Sequence, residues 1–348
     1  MPAVNFFTMI VIDGSKGEGG GQIMRTALAL SVLLGKPVRL FNIRRNRPQP
    51  GLKPQHLESV RAIATISDAR VEGLHPGSIE LIFIPRKPKC GNYKFGVSTA
   101  GSITLMIQTI FPVLALCEGY SVVELEGGTD VPFAPLFDYM RLIFLPIMER
   151  MGVRARLKLI RRGHYPKGGG RAILEVWGVN RLKPIRAEFF GKALKVDGKS
   201  HCTNLPSHVA SRQVKGACGV LEKLNVPCEI EEEVSTGPGK GSGIVVRAMS
   251  TAGQILGADS LGKPGKRAEV VGREAGRNLK EYVEKDCGID PHMGDMIIPY
   301  MALAEGKSIV TTCYLTGHIE TNLWVVQEMT GVLFRVHGRE PVRIEVIR

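Results

Sequence analysis

Residues 14–25, GSKGEGGGQIMR, place one carboxylate, Glu18, in a glycine-rich loop that leads into a predicted helix. Such loops often bind phosphate, because free N–H groups and the helix dipole favour anions at a helix N-terminus. The P-loop motif fails because no Lys-Ser or Lys-Thr pair follows, and the dinucleotide-binding motif fails because its last glycine position is Gln22. Arg25, one turn into the helix, can bind a phosphate with two N–H groups.

Two interpretations of Glu18 follow from this spacing. In the first, a divalent cation lies between the carboxylate and a bound phosphate, so that opposite charges alternate. In the second, the glycines only permit a tight turn, and the Glu18 side chain lies in solvent. The spacing alone does not separate these interpretations.

A basic loop follows the first predicted helix-to-strand passage, at residues 43–56 with the sequence IRRNRPQPGLKPQH. Its basic and polar side chains are Arg44, Arg45, Arg47, Lys53, Gln55 and His56. The prolines restrict the backbone, so several cations can be directed at one place at modest entropic cost. This arrangement suits phosphate binding, and the alternative is a solvated basic loop.

A third candidate is His318, just before a predicted helix in YLTGHIETNLWVV at residues 314–326. An imidazole there can act as a base, a metal ligand or a nucleophile, although a lone histidine is more often structural. Two weaker signals are the loops GGTDVPFAP at 127–135 and PHMGDM at 291–296. The glycine-rich GPGKGSG at 237–243 is predicted to be a hairpin loop, because it joins two strands instead of preceding a helix.

The elements that position these residues form a repeat. Three stretches each pass from an apolar helix through a glycine, Gly35, Gly119 or Gly306, into an alternating strand. They predict an α/β fold of three βαβαββ units at about 9–85, 94–177 and 288–348. Residues 186–286 do not fit the repeat. We therefore predict a large domain of residues 1–185 and 287–348, with a small α/β domain inserted at 186–286.

Charge and composition narrow the class of partner. The chain has 46 Lys and Arg against 33 Asp and Glu, a net charge of +13, which favours nucleic acid over a merely basic surface. The apolar stretch 105–117 is interrupted by Gln108 and Pro112 and is too short for a bilayer span, so no membrane partner is expected. The N-terminus lacks a basic leader. Seven scattered cysteines without a CxxC pair argue for a reducing cytosol and against a structural zinc site.

Taken together, these stretches resemble the RNA 3′-terminal phosphate cyclase family. Six motifs match its pattern in order and cover nearly the whole chain: DGSKGEGGGQIMR, IRRNRPQPGLKPQH, AGSITLMIQT, GGTDVPFAP, GHYPKGGG and GHIETN. The resemblance implies three βαβαββ units plus an inserted α/β domain. It also implies ATP-dependent conversion of an RNA 3′-phosphate to a 2′,3′-cyclic phosphodiester, with Mg²⁺ or Mn²⁺ as the divalent metal.

The resemblance assigns roles to particular residues. His318 matches the family's adenylylated histidine, and Glu18 matches its metal-binding glutamate. The implied ATP-binding residues are Gln108, His292, Met293, Gly294, Asp295 and Met296. The implied phosphate- and RNA-binding residues are Arg25, Arg44, Arg47, Gln55 and His56.

Two departures and two alternatives accompany the resemblance. His292 stands where bacterial members carry a tyrosine, which leaves the adenine-stacking partner open, and Gly317 replaces a cysteine before His318. The main alternative is the non-catalytic branch of cyclase-like, RNA-binding proteins of ribosome assembly, which lacks the histidine. An enolpyruvyl-transferase-like enzyme is a further alternative, by fold analogy alone.

Overall fold

The computed structural model of the protein describes residues 9–97 and 100–347. The predicted absence of an N-terminal leader concerns mainly residues 1–8, which lie outside the described residues. Strands in the described part form four sheets of four strands each. The mixed α/β fold class predicted from the repeat is confirmed.

The first repeat unit contains β1 Ile10–Asp13, α1 Gly21–Leu34, β2 Val38–Phe41, α2 Pro54–Ser67, β3 Arg70–Glu72 and β4 Leu81–Ile84. Its sheet has the order β1-β2-β4-β3, with β1 and β2 parallel and the other pairs antiparallel. Helix α1 ends where predicted, because Gly35 adopts a left-handed conformation with φ 64°.

The second unit contains β5 Asn92–Gly96, α3 Ile103–Ala115, β6 Gly119–Gly127, α4 Phe137–Tyr139, a π-helical turn Met140–Phe144, α5 Leu145–Arg150, β7 Arg154–Arg161 and β8 Gly170–Gly178. Its sheet repeats the topology of the first, in the order β5-β6-β8-β7. Gly119 does not end the preceding helix as predicted. Helix α3 already ends at Ala115, and Gly119 begins β6 with φ 140°.

The third unit differs from its prediction in where it begins. Its elements are β9 Arg186–Ala187, α8 Pro291–Leu303, β14 Ile309–Thr312, α9 Gly317–Thr330, β15 Leu333–His337 and β16 Val342–Ile347. The sheet order β9-β14-β16-β15 matches the other two sheets, with β9 parallel to β14. The first strand of the unit therefore precedes the insertion, and the predicted start at 288 was too late. A strand of two residues has too little pattern to be found from sequence.

Between β9 and α8 lie β10 Ala193–Thr203, α6 His208–Leu221, a 3₁₀ turn Glu222–Leu224, β11 Cys228–Ser235, β12 Gly241–Ser250, β13 Ile255–Leu261 and α7 Ala268–Glu284. Their sheet has the order β11-β10-β12-β13, and α6 packs on α7 beside it. The loop before β12 joins two strands, as predicted, but it does not close a hairpin, because β10 lies between those strands.

The helices of the three units meet at the centre of the molecule. Helix α1 packs against α3 and α9, and α8 packs against α9. Edge strands such as β5 alternate between exposed and half-buried residues, as expected for sheets with one face in solvent. The helices carry the core, and their N-termini come close together near its edge. No helix in the described ranges is long and apolar enough to span a bilayer.

A disulfide joins Cys287, which follows α7, to Cys313, which follows β14. The scattered cysteine spacing gave no indication of this bond. One disulfide does not decide the compartment, because some intracellular proteins also contain disulfides. The cytoplasmic location therefore stays a prediction.

Candidate active site

The glycine loop and the N-terminus of α9 lie against each other. The backbone N–H of Glu18 donates to Thr321 Oγ1 over 3.2 Å, and the Thr321 hydroxyl donates to the Gly317 carbonyl over 2.6 Å. A Cβ atom on Gly317 would lie 2.8 Å from Glu18 Oε1. The glycine at this position therefore allows the carboxylate to approach the start of α9. Two helix N-termini, those of α1 and α9, meet beside it and favour a bound anion.

His318 is held from one side by Gln22. Its Nδ1 lies 2.7 Å from Gln22 Oε1, and Gln22 Nε2 donates back to the His318 carbonyl over 3.0 Å. An amide oxygen only accepts hydrogen bonds, so Nδ1 carries the proton in neutral His318. The Nε2 lone pair is then free. It lies 3.8 Å from Glu18 Oε2, in a side chain that is 49% exposed.

A buried polar chain fixes Gln22 in turn. Gln22 Nε2 also donates to Asp295 Oδ1, which accepts from Asn322 Nδ2 over 2.7 Å. Thr26 donates to Asn322 Oδ1 over 2.7 Å. Burial raises the pKa of Asp295 to about 6, against the opposing charge of His318. Side chains from α1, α8 and α9 thus set the orientation of one imidazole.

The basic loop contributes unequally to this site. Arg47 Nη2 lies 3.5 Å from Glu18 Oε2 and close above Gly20, so its guanidinium faces the glycine loop. Arg44 instead donates to the carbonyl oxygens of Gln49 and Gly51, and so supports the loop that carries it. Arg45 is exposed and donates to Asn42.

His56 is buried at the base of the loop. Its Nδ1 accepts from the Lys53 backbone N–H over 3.0 Å, and its Nε2 faces Gly21 at the start of α1. Burial, together with the charges of Arg25 and Arg44, lowers the pKa of His56 to about 3. His56 is therefore neutral at ordinary pH. Burial also lowers the pKa of Arg25, to about 10, so that Arg25 stays a cation beside it.

The depressed pKa of His56 predicts a pH effect on stability. Between pH about 6.5 and about 3 the unfolded chain binds a proton at His56 that the folded protein does not, so stability falls as pH falls. Within this range the free energy of unfolding changes by at most about 1.4 kcal/mol per pH unit for one proton. We expect His56→Gln to reduce this slope in denaturant titrations at pH 4 to 6, relative to exposed His75→Gln. Equal slopes for the two variants would contradict the assignment.

The residues implied for ATP binding lie along α3 and α8. Gln108 Nε2 lies 3.1 Å from Met296 Sδ, and both line a small pocket with Arg25 and Asp295 that leaves about 30 Å³ for solvent. Met293 and Gly294 are buried in the first turn of α8. His292 is exposed, and the edge of its ring contacts Tyr139, with 5.8 Å between centroids.

The other sequence candidates lie elsewhere. Gln55 is half-buried, and its Cβ lies near Gly101 at the start of α3. The loop 127–135, although equivalent to the basic loop by the repeat, places Asp130 in a different, fully buried cluster with Arg162. The basic loop and the loop 127–135 therefore do not contribute to one site.

Sequence reasoning missed Gln22 and Trp324. In the sequence, Gln22 only marks the position at which the dinucleotide-binding motif fails. In the structure it orients His318. Trp324 carries Lys16 over its ring, with Nζ 4.8 Å from the ring centroid. Lys16 and Trp324 line a hollow of about 440 Å³ beside Glu18 and Gly317. The available signal was the spacing of Trp324, seven residues after Gly317, which places it on the face of α9 that lines the hollow.

Chemically, the arrangement suits an enzyme that binds phosphate groups next to a fixed nucleophile. A family profile described as RNA 3'-terminal phosphate cyclase matches residues 16–336. The chain is 47% identical to the RNA 3'-terminal phosphate cyclase of Pyrobaculum aerophilum, over 96% of this chain and 97% of the relative. It is 45% identical to that of Pyrococcus abyssi, over 98% and 99%. For Hyperthermus butylicus the identity is 51%, over 92% and 91%. The chain belongs to the RNA 3′-terminal phosphate cyclase family.

Proposed function

We propose that the protein converts an RNA 3′-terminal phosphate to a 2′,3′-cyclic phosphodiester, with ATP as cosubstrate and His318 as the covalent nucleophile. Family membership supports the cyclase activity. The observation that carries the mechanism is the hydrogen bond between His318 Nδ1 and Gln22 Oε1, which leaves Nε2 on the side of Glu18.

The proposed reaction has three transfers. His318 Nε2 attacks the α-phosphorus of ATP, a P–N bond forms, and pyrophosphate leaves. An oxygen of the RNA 3′-phosphate then attacks the same phosphorus, and the P–N bond breaks to return His318. Finally the neighbouring 2′-OH attacks the 3′-phosphorus, loses its proton and expels AMP. The protein mainly positions the reactants and neutralises charge.

Positive charge and helix dipoles supply that neutralisation. The N-termini of α1 and α9 lie beside Glu18 and His318, and their dipoles favour an anion there. Arg47 lies at the rim of this space, and Arg25 lies one helical turn below. We propose that these two guanidinium groups contact phosphate oxygens, while Arg44 and His56 support the loop. The other implied ATP- and RNA-binding residues keep their predicted roles.

Glu18 fits the role of a cation ligand. Its carboxylate is 38% exposed, next to the anion-favouring helix starts, and carboxylate oxygen is a preferred donor for Mg²⁺ and Mn²⁺. A bound divalent ion would neutralise phosphate charge there. Its position facing Nε2 at 3.8 Å explains why a glycine-rich phosphate loop contains a carboxylate.

This role predicts the effect of Glu18→Ala. We expect adenylylation of the protein to fall by about a hundredfold or more at low Mg²⁺, with partial recovery at high Mg²⁺, because the ion must then bind through water and phosphate alone. The matched control is Glu320→Ala, which removes an exposed carboxylate from the same hollow. Equal Mg²⁺ dependence in wild type and Glu18→Ala would contradict the role.

The non-catalytic alternative is less well supported. Cyclase-like proteins of that branch lack the histidine, whereas this chain has His318 in a hydrogen-bonded orientation. The deciding assay uses 5′-labelled RNA with a 3′-phosphate, incubated with ATP and Mg²⁺ or Mn²⁺. The account predicts an end group that resists phosphatase until acid opens the ring. An end that stays phosphatase-sensitive with either metal would favour the non-catalytic alternative.

A further inference from the structure

A second group of potential ligands lies where two loops of the second repeat unit meet strand β10. Its members are Asp130, after β6, His164, after β7, and His201, on β10. They are 1%, 2% and 0% exposed. One ligand atom from each lies within 4.8 Å of the others, and His201 Nε2 lies 3.7 Å from Asp130 Oδ2. His164 lies in the motif GHYPKGGG, but neither the residue roles that the family resemblance implies nor the proposed reaction uses either histidine.

The imidazoles are incompletely satisfied. Both ring nitrogens of His201, and Nδ1 of His164, have no hydrogen-bond partner among the residues that the structure describes. Only His164 Nε2 has one, the Thr203 hydroxyl at 3.0 Å. Burying such nitrogens unpaired is unfavourable, so buried polar groups of this kind indicate a missing partner such as an ion or water.

The donor atoms of the cluster suit a cation. The imidazole nitrogens that have no hydrogen-bond partner in the described part of the chain can each offer a lone pair for a ligand bond. Asp130 is a carboxylate, since Arg162 Nη1 donates to it over 3.0 Å.

The charged groups around the cluster balance one another. Arg162 is shared by three carboxylates, those of Asp130, Asp138 and Glu233. Lys199 and Arg141 pair with the outer members of this group. Asp130 is the one carboxylate of this group that also lies within ligand distance of both histidines.

Two glycines of β12 enclose the imidazoles. A Cβ atom on Gly241 would collide with the His164 ring at Nδ1, and one on Gly243 would lie 3.0 Å from His201 Cε1. These glycines belong to the GPGKGSG segment, whose composition first suggested a phosphate loop. Their absence of side chains instead lets the β12 backbone close over both rings.

We propose that Asp130, His164 and His201 form a buried site for a divalent transition-metal ion, best matched by Zn²⁺, with a water molecule as the fourth ligand. Two imidazole nitrogens and one carboxylate oxygen are a donor set typical of zinc, whereas Mg²⁺ prefers oxygen alone. The ion joins the sheet of β10–β13 to the second repeat unit. This site is separate from the cation proposed at Glu18, and it needs no cysteine.

Cobalt(II) provides the test, because tetrahedral Co²⁺ absorbs visible light. Untagged full-length protein is unfolded in chelator and refolded with Co²⁺ or Zn²⁺, so that a buried site can load. We expect about one tightly held metal ion per chain, with tetrahedral Co²⁺ absorption that persists in Glu18→Ala. The double variant His164→Phe, His201→Leu should lose the ion and the absorption. The control double variant His75→Phe, His337→Leu removes two exposed histidines and should keep both.

Further readouts keep the test decisive. Zn²⁺ should raise the thermal midpoint of wild type and control by several degrees but leave the His164, His201 variant unchanged. If that variant does not fold, His164→Cys replaces it. A thiolate at a true ligand position adds a near-ultraviolet charge-transfer band to the Co²⁺ spectrum. Wild type that refolds without tightly bound Co²⁺, or a spectrum insensitive to both His164 substitutions, overturns the proposal.

Discussion

His318→Ala should form no covalent protein–AMP and should reduce cyclisation of ordinary 3′-phosphate RNA by at least about a thousandfold. The same variant should still close the ring on RNA that already carries AMP on its 3′-phosphate, at a rate near that of the wild type. Such RNA has passed the two steps that make and break the P–N bond. The last step needs positioning and charge neutralisation, which we propose that Arg47 and a cation held by Glu18 still provide.

This experiment separates three roles for one imidazole. A structural His318 would lower stability and slow all steps together. A general base for the 2′-OH would slow ring closure most. The control His75→Ala removes an exposed histidine far along the chain and should leave every step unchanged. A folded His318→Ala variant that is equally inactive on both RNAs would show that the nucleophile assignment is wrong.

Arg162→Met should lower the free energy of unfolding by about 3–5 kcal/mol, because it removes a buried charge and leaves its partners buried. The Arg162 side chain is 1% exposed and donates to Asp130, Asp138 and Glu233 over 2.6–3.0 Å. Its removal leaves Asp130 and Asp138 buried without their shared cation. It also removes the ion pair of Arg162 with Glu233, which joins the second repeat unit to β11. The shift of the guanidinium unfolding midpoint measures the effect.

Arg141→Met is the matched control for that experiment. Arg141 also pairs with Asp138, over 2.7 Å, but its side chain is 38% exposed and its charge is screened by water. Its loss should cost about 1 kcal/mol or less. A midpoint shift for Arg162→Met no larger than that for Arg141→Met would contradict the importance of the buried pair.

The fold was largely predictable because each unit repeats the same order of apolar helix and alternating strand. Apolar helices followed by alternating strands indicated the repeat in each of the three units. What the pattern could not show was β9, whose two residues pair with β14 across more than a hundred residues of chain. Pairing over such a distance is set by the assembled sheet, not by local sequence.

The candidate site was predictable in its residue types but not in its connections. The motif signals indicated Glu18, His318 and the basic loop, and the structure brings Glu18, His318 and Arg47 together. The sequence did not show that Gln22 holds His318, since they are 296 residues apart. Nor could it show that His56 is buried and uncharged, because its burial depends on the start of α1.

The most direct test of the proposed covalent intermediate is to locate the AMP on the protein. Wild-type protein is incubated with α-labelled ATP and Mg²⁺ or Mn²⁺, digested at neutral to alkaline pH, and the labelled peptide is sequenced by mass spectrometry. A phosphoramidate is labile to acid and stable to alkali. We expect one labelled site, at His318. We also expect that RNA with a 3′-phosphate removes this label. Label on any other residue, or no acid-labile label although the protein cyclises RNA, would contradict it.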